Sequence, residues 1–471
     1  MALTKSLGQN IKPVDGNGLS TFVDDNDGVL KLKDIYGCVT PMSTYVCGGG
    51  GSSSCALYVV GTGTDSTQRI NVNNIASGNC SASLGGQCNL ALGLFSLIGG
   101  GISNCILSNY SSIVGGLSNT ICSSYSNYGN FIGGGGGNRL EGRMNTIVGG
   151  LNNTSTACCY SFIGGGFNNV TSGRRTAVVG GTSNQALCSG SGILAGSTNT
   201  VSVFYSSVVA GTSNNITTAG SGSTIIGAGK LNISSGSGYA FLGSGVSNNL
   251  TNSQSGAIVS GCLNTTSATG SFIGAGCGNN VSGVCSSIVG GSSNTASGAC
   301  SIVGGGSINI SAGIFSSIGG GQSNCALTDY TTIAGGRCNS ASGLYSSVLG
   351  GLNNKSICAY SAIAGGQLNC ACGVFSGVFN GFSNCAMGNH ATILGGCTNK
   401  NLGCLSTILG GGNNLISAAT QFSNINGGKS NCITLNTLYS TVSGGYSNTN
   451  NGSYSFLGGG SGNTITSTAS S

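Results

Sequence analysis

The sequence predicts an all-β chain, a parallel β-solenoid or β-roll of about 25 coils of 15 residues. Three observations predict it. A seven-residue phrase (branched aliphatic, any residue, two small residues, any two residues, Asn) recurs along nearly the whole chain. Its spacing is almost constant. The composition also excludes ordinary domains, with 90 Gly, 2 Pro, no Trp and 5% charged residues in 471. Gly at this level without a triplet period is not collagen, and 39% apolar residues is too many for a typical disordered chain.

The Asn that ends the phrase runs from Asn89 and Asn104 through to Asn448 and Asn463, 25 copies in all. Seventeen of the 24 intervals are 15 residues, and the other seven are 16 to 19. With the aliphatic as position 1 and Asn as position 7, position 1 is Ile, Val or Leu in all 24 copies after the degenerate first. Position 13 is Phe or Tyr in 13 of those coils and position 14 is Ser or Thr in 19. Positions 13 to 2 therefore read as a short strand of β-branched and aromatic residues, closed by a Gly-Gly turn. Fifteen residues are too few for a helix-containing repeat and suit two strands of about five residues with two tight corners.

Each column then has a mechanical role. Like positions stack at ~4.8 Å from coil to coil, so column 1 becomes a continuous aliphatic ridge inside the coil. Each buried Ile contributes roughly 1.5–3 kcal/mol. Paired Gly permits a corner that a Cβ would obstruct. Column 7 reads as a structural ladder of Asn residues, which tolerate left-handed backbone and hydrogen-bond locally.

Alternation places positions 13, 15 and 2 on the face opposite position 1. That face carries the aromatics of column 13, then Phe131, Phe162, Phe241, Phe272 and Phe456 at position 15. An apolar stripe of roughly 110 Å over the stacked coils is more than a soluble monomer normally exposes, so copies of the same stripe should cover it.

The stretch "NTASGACSIVGGGSINISAGIFSSIGGGQSN", Asn294 to Asn324, carries a likeness that extends over residues 80–471. It resembles the head repeats of trimeric autotransporter adhesins, the YadA-like family. The resemblance implies a left-handed parallel β-roll wound by three chains, hence a homotrimer, and work as a host-binding adhesin. The opening "MALTKSLGQNIKPVDGNG" lacks the apolar core of a signal peptide, and only "TITSTASS" follows Asn463. The resemblance therefore carries the shaft architecture rather than the secretion route.

Five of the eight acids lie in the first 34 residues, within a segment unlike the repeat. Residues 19–36, "LSTFVDDNDGVLKLKDIY", alternate apolar and polar around a turn, which predicts a small β-hairpin module. A calcium loop fails on register: with Gly28 sixth, position 1 is Val23 and position 12 is Asp34. The expected organisation is an N-terminal docking module at 1–46, a Gly/Ser-rich linker and transition at 47–79, and the repetitive shaft at 80–471.

Catalysis has little material. His390 is the single His and occupies the aromatic column. In the shaft, Glu141 and Asp329 are about 12 coils apart, roughly 58 Å by stacking, whereas glycoside hydrolysis needs carboxyls about 5–9.5 Å apart. No catalytic, cofactor or metal site is expected, and no Cys spacing matches zinc ligation. Ten basic and three acidic residues beyond residue 46 are too sparse for a nucleic-acid face. No run of 18 apolar residues predicts a membrane span.

Among the 23 Cys, three pairs are 15 residues apart and stack directly: Cys262/Cys277, Cys285/Cys300 and Cys370/Cys385. Their expected state is the free thiol. Sequons at Asn169, Asn232 and Asn309 fall on the ladder column and are products of the repeat grammar.

All seven longer intervals insert their extra residues between Asn and the next aliphatic, so the insertions project from one side. The longest carries Tyr125 and Tyr128, with Arg139 and Arg143 about one coil later. Tyr stacks on sugars and Arg contacts acidic groups, so these four are the candidate receptor contact.

The expectation is a non-enzymatic structural fibre on a virion or outside the cell. It would associate with itself, dock to a capsid or tail protein through residues 1–46, and adhere to a host-surface glycan or protein. A self-assembling extracellular filament or cell-surface adhesin is the alternative. A polysaccharide-degrading tailspike ranks last.

Overall fold

The computed structural model describes residues 13–14, 19–23, 30–33, 39–41, 58–69, 73–122, 129–217, 222–434 and 436–466. Among these there are strands, bridges and turns but no helix. Pro13–Val14, Leu19–Val23, Leu30–Lys33 and Val39–Pro41 pair antiparallel in chain order, with Val23 opposite Leu30. The "DDNDG" segment, where the sequence predicts the turn, lies outside the described residues.

The rest is a parallel β-solenoid of about 26 turns. The chain divides into two compact units, Met1–Thr212 and Ser213–Ser471, and each contains the same coil. Every coil contributes one strand to each of two parallel ladders. In the first unit, Leu97–Ile98 pairs with Ser112–Ile113, and that with Phe131–Ile132. On the other side, Leu90–Ala91 pairs with Cys105–Ile106, then with Thr120–Ile121. In the second unit the ladders run from Ile225–Ile226 to Phe456–Leu457 and from Asn215–Thr217 to Thr464–Ile465. The stacking is already present at Thr67, which pairs in parallel with Ala82.

In most coils the ladder strands cover only positions 15 and 1 and positions 8 and 9, two residues at a time rather than the expected five, and reach position 10 at Asn215–Thr217, Ile233–Ser235 and Asn249–Thr251. Position 5 adds single parallel bridges between coils. The strands are short because three residues per coil take left-handed backbone. Position 4 does so in all 25 phrases, always as Gly, with φ between 73° and 111°. Position 6 does so as Ser103, Asn152, Leu263 and their equivalents, and position 13 as Phe95, Tyr110 and theirs. Each sign change turns the chain, leaving two short stretches to lie flat. The left-handed residue at the Asn corner is thus position 6, whereas the expectation placed it at the column-7 Asn.

Freed from that turn, the column-7 Asn points inward and is fully buried, as at Asn104, Asn309 and Asn384. Its amide closes three bonds. Asn104 Nδ2 donates to Gly100 O of its own turn (3.1 Å) and to Gly116 O of the next coil (3.0 Å). Its Oδ1 accepts the backbone N–H of Asn119 at 3.0 Å. The ladder begins at Asn74, whose Oδ1 accepts Asn89 N–H at 3.0 Å. Column 1 is buried throughout, from Ile98 to Val442 at 0–1% exposure. Column 14 is buried as far as Ser440, and in many coils its hydroxyl closes the opposite corner: Ser286 Oγ donates to Gly283 O at 2.6 Å, whereas Ser81, Ser96 and Ser301 Oγ find no partner.

The two Gly of the phrase are not equivalent. A Cβ on Gly336, at position 4, would overlap the carbonyl of Gly351 and sit 2.5 Å from Asn339 Nδ2. A Cβ on Gly335, at position 3, would meet nothing within 4 Å. Ala195, Ala275 and Asn380 already occupy position 3 elsewhere. Gly335→Ala should therefore leave thermal unfolding unchanged or stabilise by up to ~1 kcal/mol, while Gly336→Ala should cost more than ~1 kcal/mol through left-handed strain and loss of the ladder. Equal melting curves for the two variants would contradict this account.

Candidate functional site

Outward-facing residues form distinct longitudinal strips. The strip over the first ladder, positions 15 and 2, carries no charged residue in any of the 24 coils. In 19 coils one of the two positions is Phe, Leu, Ile or Val and the other is Gly, Ala, Ser or Thr; in none are both large. Local geometry explains this. Where Phe stands at position 15, its ring leans over the Gly at position 2, so that a Cβ on Gly243 would meet Phe241 Cε1 at 3.2 Å and one on Gly164 would meet Phe162 Cε1 at 3.4 Å. Where position 2 is Val114, Val289 or Leu349, position 15 is Ser. The outcome is a level apolar surface, with Val114 at 57% and Leu349 at 58% exposure. This size exchange is visible in the sequence once the pair of positions is known to share a face.

Beside it runs the aromatic column at position 13. Alternation correctly places these rings outside, but their backbone is left-handed rather than extended. Phe315, Tyr330, Tyr345, Tyr360, Phe375 and His390 form one continuous stack, with ring centroids 4.6–5.4 Å apart and planes within 16° of parallel. Left-handed backbone costs roughly 1–2 kcal/mol per residue with a Cβ, and an aromatic pair returns about 0.5–1.5 kcal/mol beyond burial. Each ring inside the stack has two neighbours, so stacking offsets the backbone penalty. His390 has a packing role at the end of this stack.

The insertions open into this same corner, between positions 9 and 15. Register survives them: Ser112 pairs with Phe131 and Thr120 with Arg139 across the longest. Tyr125 and Tyr128 lie outside the described residues. Arg139 and Arg143 are on different strips. Arg139 is at position 8, on the second-ladder face, where its Nε donates to Glu141 Oε1 at 2.9 Å and the ion pair raises its pKa. Arg143 is at position 12, on the insertion corner. There it lines a groove of about 360 Å³ with Met144, Cys158, Cys159, Tyr160 and Arg174. Tyr160 and Arg174 escaped the sequence reading because they are neighbours only through stacking.

The Cys pairs differ among themselves. Cys262 and Cys277, both at position 5, are joined as a disulfide with Cα atoms 4.6 Å apart, which corrects the free-thiol expectation for that pair. The Gly-flanked corner brings stacked backbones close enough for the bridge. Cys285 and Cys300, at position 13, are free, and Cys285 is exposed. Cys370 and Cys385 are free and in direct register at position 8. Cys372, two residues along the same face, joins them, with its Sγ 2.7 Å from that of Cys370. Hydrogen bonds from Cys370 and Cys372, aided by Lys400, hold Cys385 well below the ordinary thiol range, at about 3. Hydrogen bonds with Cys372 and then Cys385 push Cys370 up. Cys372 is lowered by its bond with Cys370, but its bond with Cys385 and burial outweigh this and carry it up to about 11.

The sequon residues Asn169, Asn232 and Asn309 are buried in the ladder, closed to glycosylation in the folded chain.

These strips define the class of protein: a parallel β-solenoid whose exterior is organised into continuous columns. No family model matches the chain, and no curated protein matches it.

The balance of strain and stacking is testable at Tyr345. Tyr345→Ala removes two ring contacts but keeps a left-handed Cβ, whereas Tyr345→Gly removes both. The Ala variant should be less stable than the Gly variant by about 1 kcal/mol. Local hydrogen exchange around Ser340–Tyr360 would report it, and an Ala variant as stable as the Gly variant would refute the balance.

Proposed function

We propose that the chain is a structural fibre: a homo-oligomeric shaft that projects from a virion or other particle and adheres to a host surface. The observation that carries this reading is the charge-free, levelled strip at positions 15 and 2, flanked by stacked aromatics. In the second unit it spans the 16 coils from Ile226 to Leu457. At ~4.8 Å per coil and ~13 Å across four residues, that is roughly 900 Å², comparable with the ~800 Å² each partner contributes to a standard stable interface. Levelling suits a surface that meets another flat surface along its whole length. A second copy presents the same strip at the same spacing, and three copies is the number implied by the resemblance to YadA-like heads.

In this reading residues 1–46 dock the shaft to a capsid or tail protein. The insertion corner is the attachment side, with Arg143 and Arg174 available to an acidic glycan or protein group beside the Tyr160 ring. A self-assembling extracellular filament or cell-surface adhesin uses the same strip and differs only in what the chain is attached to. Catalysis is not part of the reading.

Two measurements test it. Light scattering on the purified chain should give a discrete oligomer, and replacing the position-2 residues Leu349, Phe379 and Leu394 together with Asp should dissociate or aggregate it, because three charges would enter a desolvated strip without partners. A monodisperse monomer of the wild-type chain overturns the shaft. Independently, Arg143→Ala with Arg174→Ala should lower binding to sulfated or sialylated glycans at least tenfold without changing oligomeric state. Unaltered binding by a folded double variant removes the corner from the adhesive role.

A further inference from the structure

We propose that Cys370, Cys372 and Cys385 form a binding site for a soft monovalent metal cation, best matched by Cu(I). The site lies on the outer face of the second ladder in the Ser213–Ser471 unit. Two geometric relations build it. Cys370 and Cys372 are two apart on one strand, so both side chains leave the same face. Cys370 and Cys385 are direct partners across adjacent coils. The three sulfurs consequently lie within 4.8 Å of one another, each partly open to solvent. Three convergent thiolates of this spacing suit a thiophilic ion.

The fourth corner of the rectangle is Met387. It stands two residues beyond Cys385, where the coil register places it beside Cys372. Its side chain is 48% exposed, so a thioether is free to turn toward the cluster. Three thiolates and a thioether form a soft donor set that favours Cu(I) over harder ions.

Charge points the same way. The position-8 column reads Lys355, Cys370, Cys385, Lys400 in consecutive register. Cu(I) bound by three thiolates carries two net negative charges, and one lysine stands on each side of the pair. Binding is a ligand exchange without redox change: the ion's bonds to its carrier ligand break, S–Cu bonds to the three thiolates and the Met387 thioether form, and protons still held by the thiols pass to solvent. The sequence expectation of no metal site rested on in-line zinc spacings. This cluster is assembled from a C-x-C and a Cys one coil away, a pattern that has meaning only once the coil period is known.

The test uses the full chain, reduced and held without oxygen, against Cu(I) buffered by bicinchoninate. The wild type should withdraw one more equivalent of Cu(I) than a Cys370→Ser/Cys372→Ser/Cys385→Ser variant, with at least tenfold higher affinity for that equivalent. Folding of the variant is expected, since Ser340 and Ser342 occupy the same two positions two coils away; circular dichroism checks it. Background from other cysteines is separated by mass spectrometry after alkylation. Cu(I) should protect Cys370, Cys372 and Cys385, while Cys325 and Cys432, which occupy position 8 without a second thiol at position 10, should still react. Met387→Leu should weaken Cu(I) binding without altering Cd(II) binding by the three thiols. Equal Cu(I) uptake by wild type and triple variant, or equal protection at Cys325 and Cys432, overturns the proposal.

Discussion

The column-7 amide is the interaction on which the structure depends. One side chain bonds its own corner, the corner of the next coil and the backbone of the following Asn. No other residue type present offers two N–H donors and an accepting oxygen in so short a reach. A buried amide left unpaired costs about 1–3 kcal/mol, whereas each satisfied bond contributes only about 0.5–1.5 kcal/mol. The ladder is therefore close to all-or-none in any coil: an Asn whose neighbour slips out of register loses bonds on both sides. That intolerance keeps the coils aligned even where 16 to 19 residues separate successive Asn.

The ladder in turn dictates the glycines and the shortness of the strands. Position 4 must place its carbonyl within reach of two amides, and only left-handed backbone without a Cβ does so while the next coil stacks above it. With that residue, position 6 and position 13 all left-handed, only two or three residues per ladder remain extended. Isolated strands of this length would not persist in water. They persist here because each coil is covered above and below, and the aliphatic at position 1 joins a continuous ridge.

A narrow coil has a second consequence. Only five of the fifteen residues in coil 286–300 are buried, so most side chains reach the surface and are arranged there in columns. The size exchange at positions 15 and 2 flattens one strip, the ring stack stiffens a corner, and the insertions all use that corner. On the opposite ladder, Lys355 to Lys400 with Cys372 becomes a compact cluster of charge and sulfur. None of these groups is close in sequence except Cys370 and Cys372.

Much of this was legible in the sequence, for a physical reason. A period of 15 makes every residue its own neighbour's neighbour, so burial of column 1, the outward placement of column 13 and the Asn ladder follow from counting. The sign of φ does not follow from counting. Left-handed backbone at Tyr110 or Leu263 contradicts local preference and is imposed by the stack, so the strands came out shorter than alternation suggested and the turn fell at position 6. The tertiary structure also decided which cysteines meet: Cys262 and Cys277 close a bridge at the tight corner, while Cys370, Cys372 and Cys385 stay free on a flat face. It separated Arg139, held by Glu141, from Arg143, which gained Tyr160 and Arg174. Spacing determines which residues are stacked; the direction in which each side chain leaves the coil depends on a backbone that only the packed neighbours above and below define.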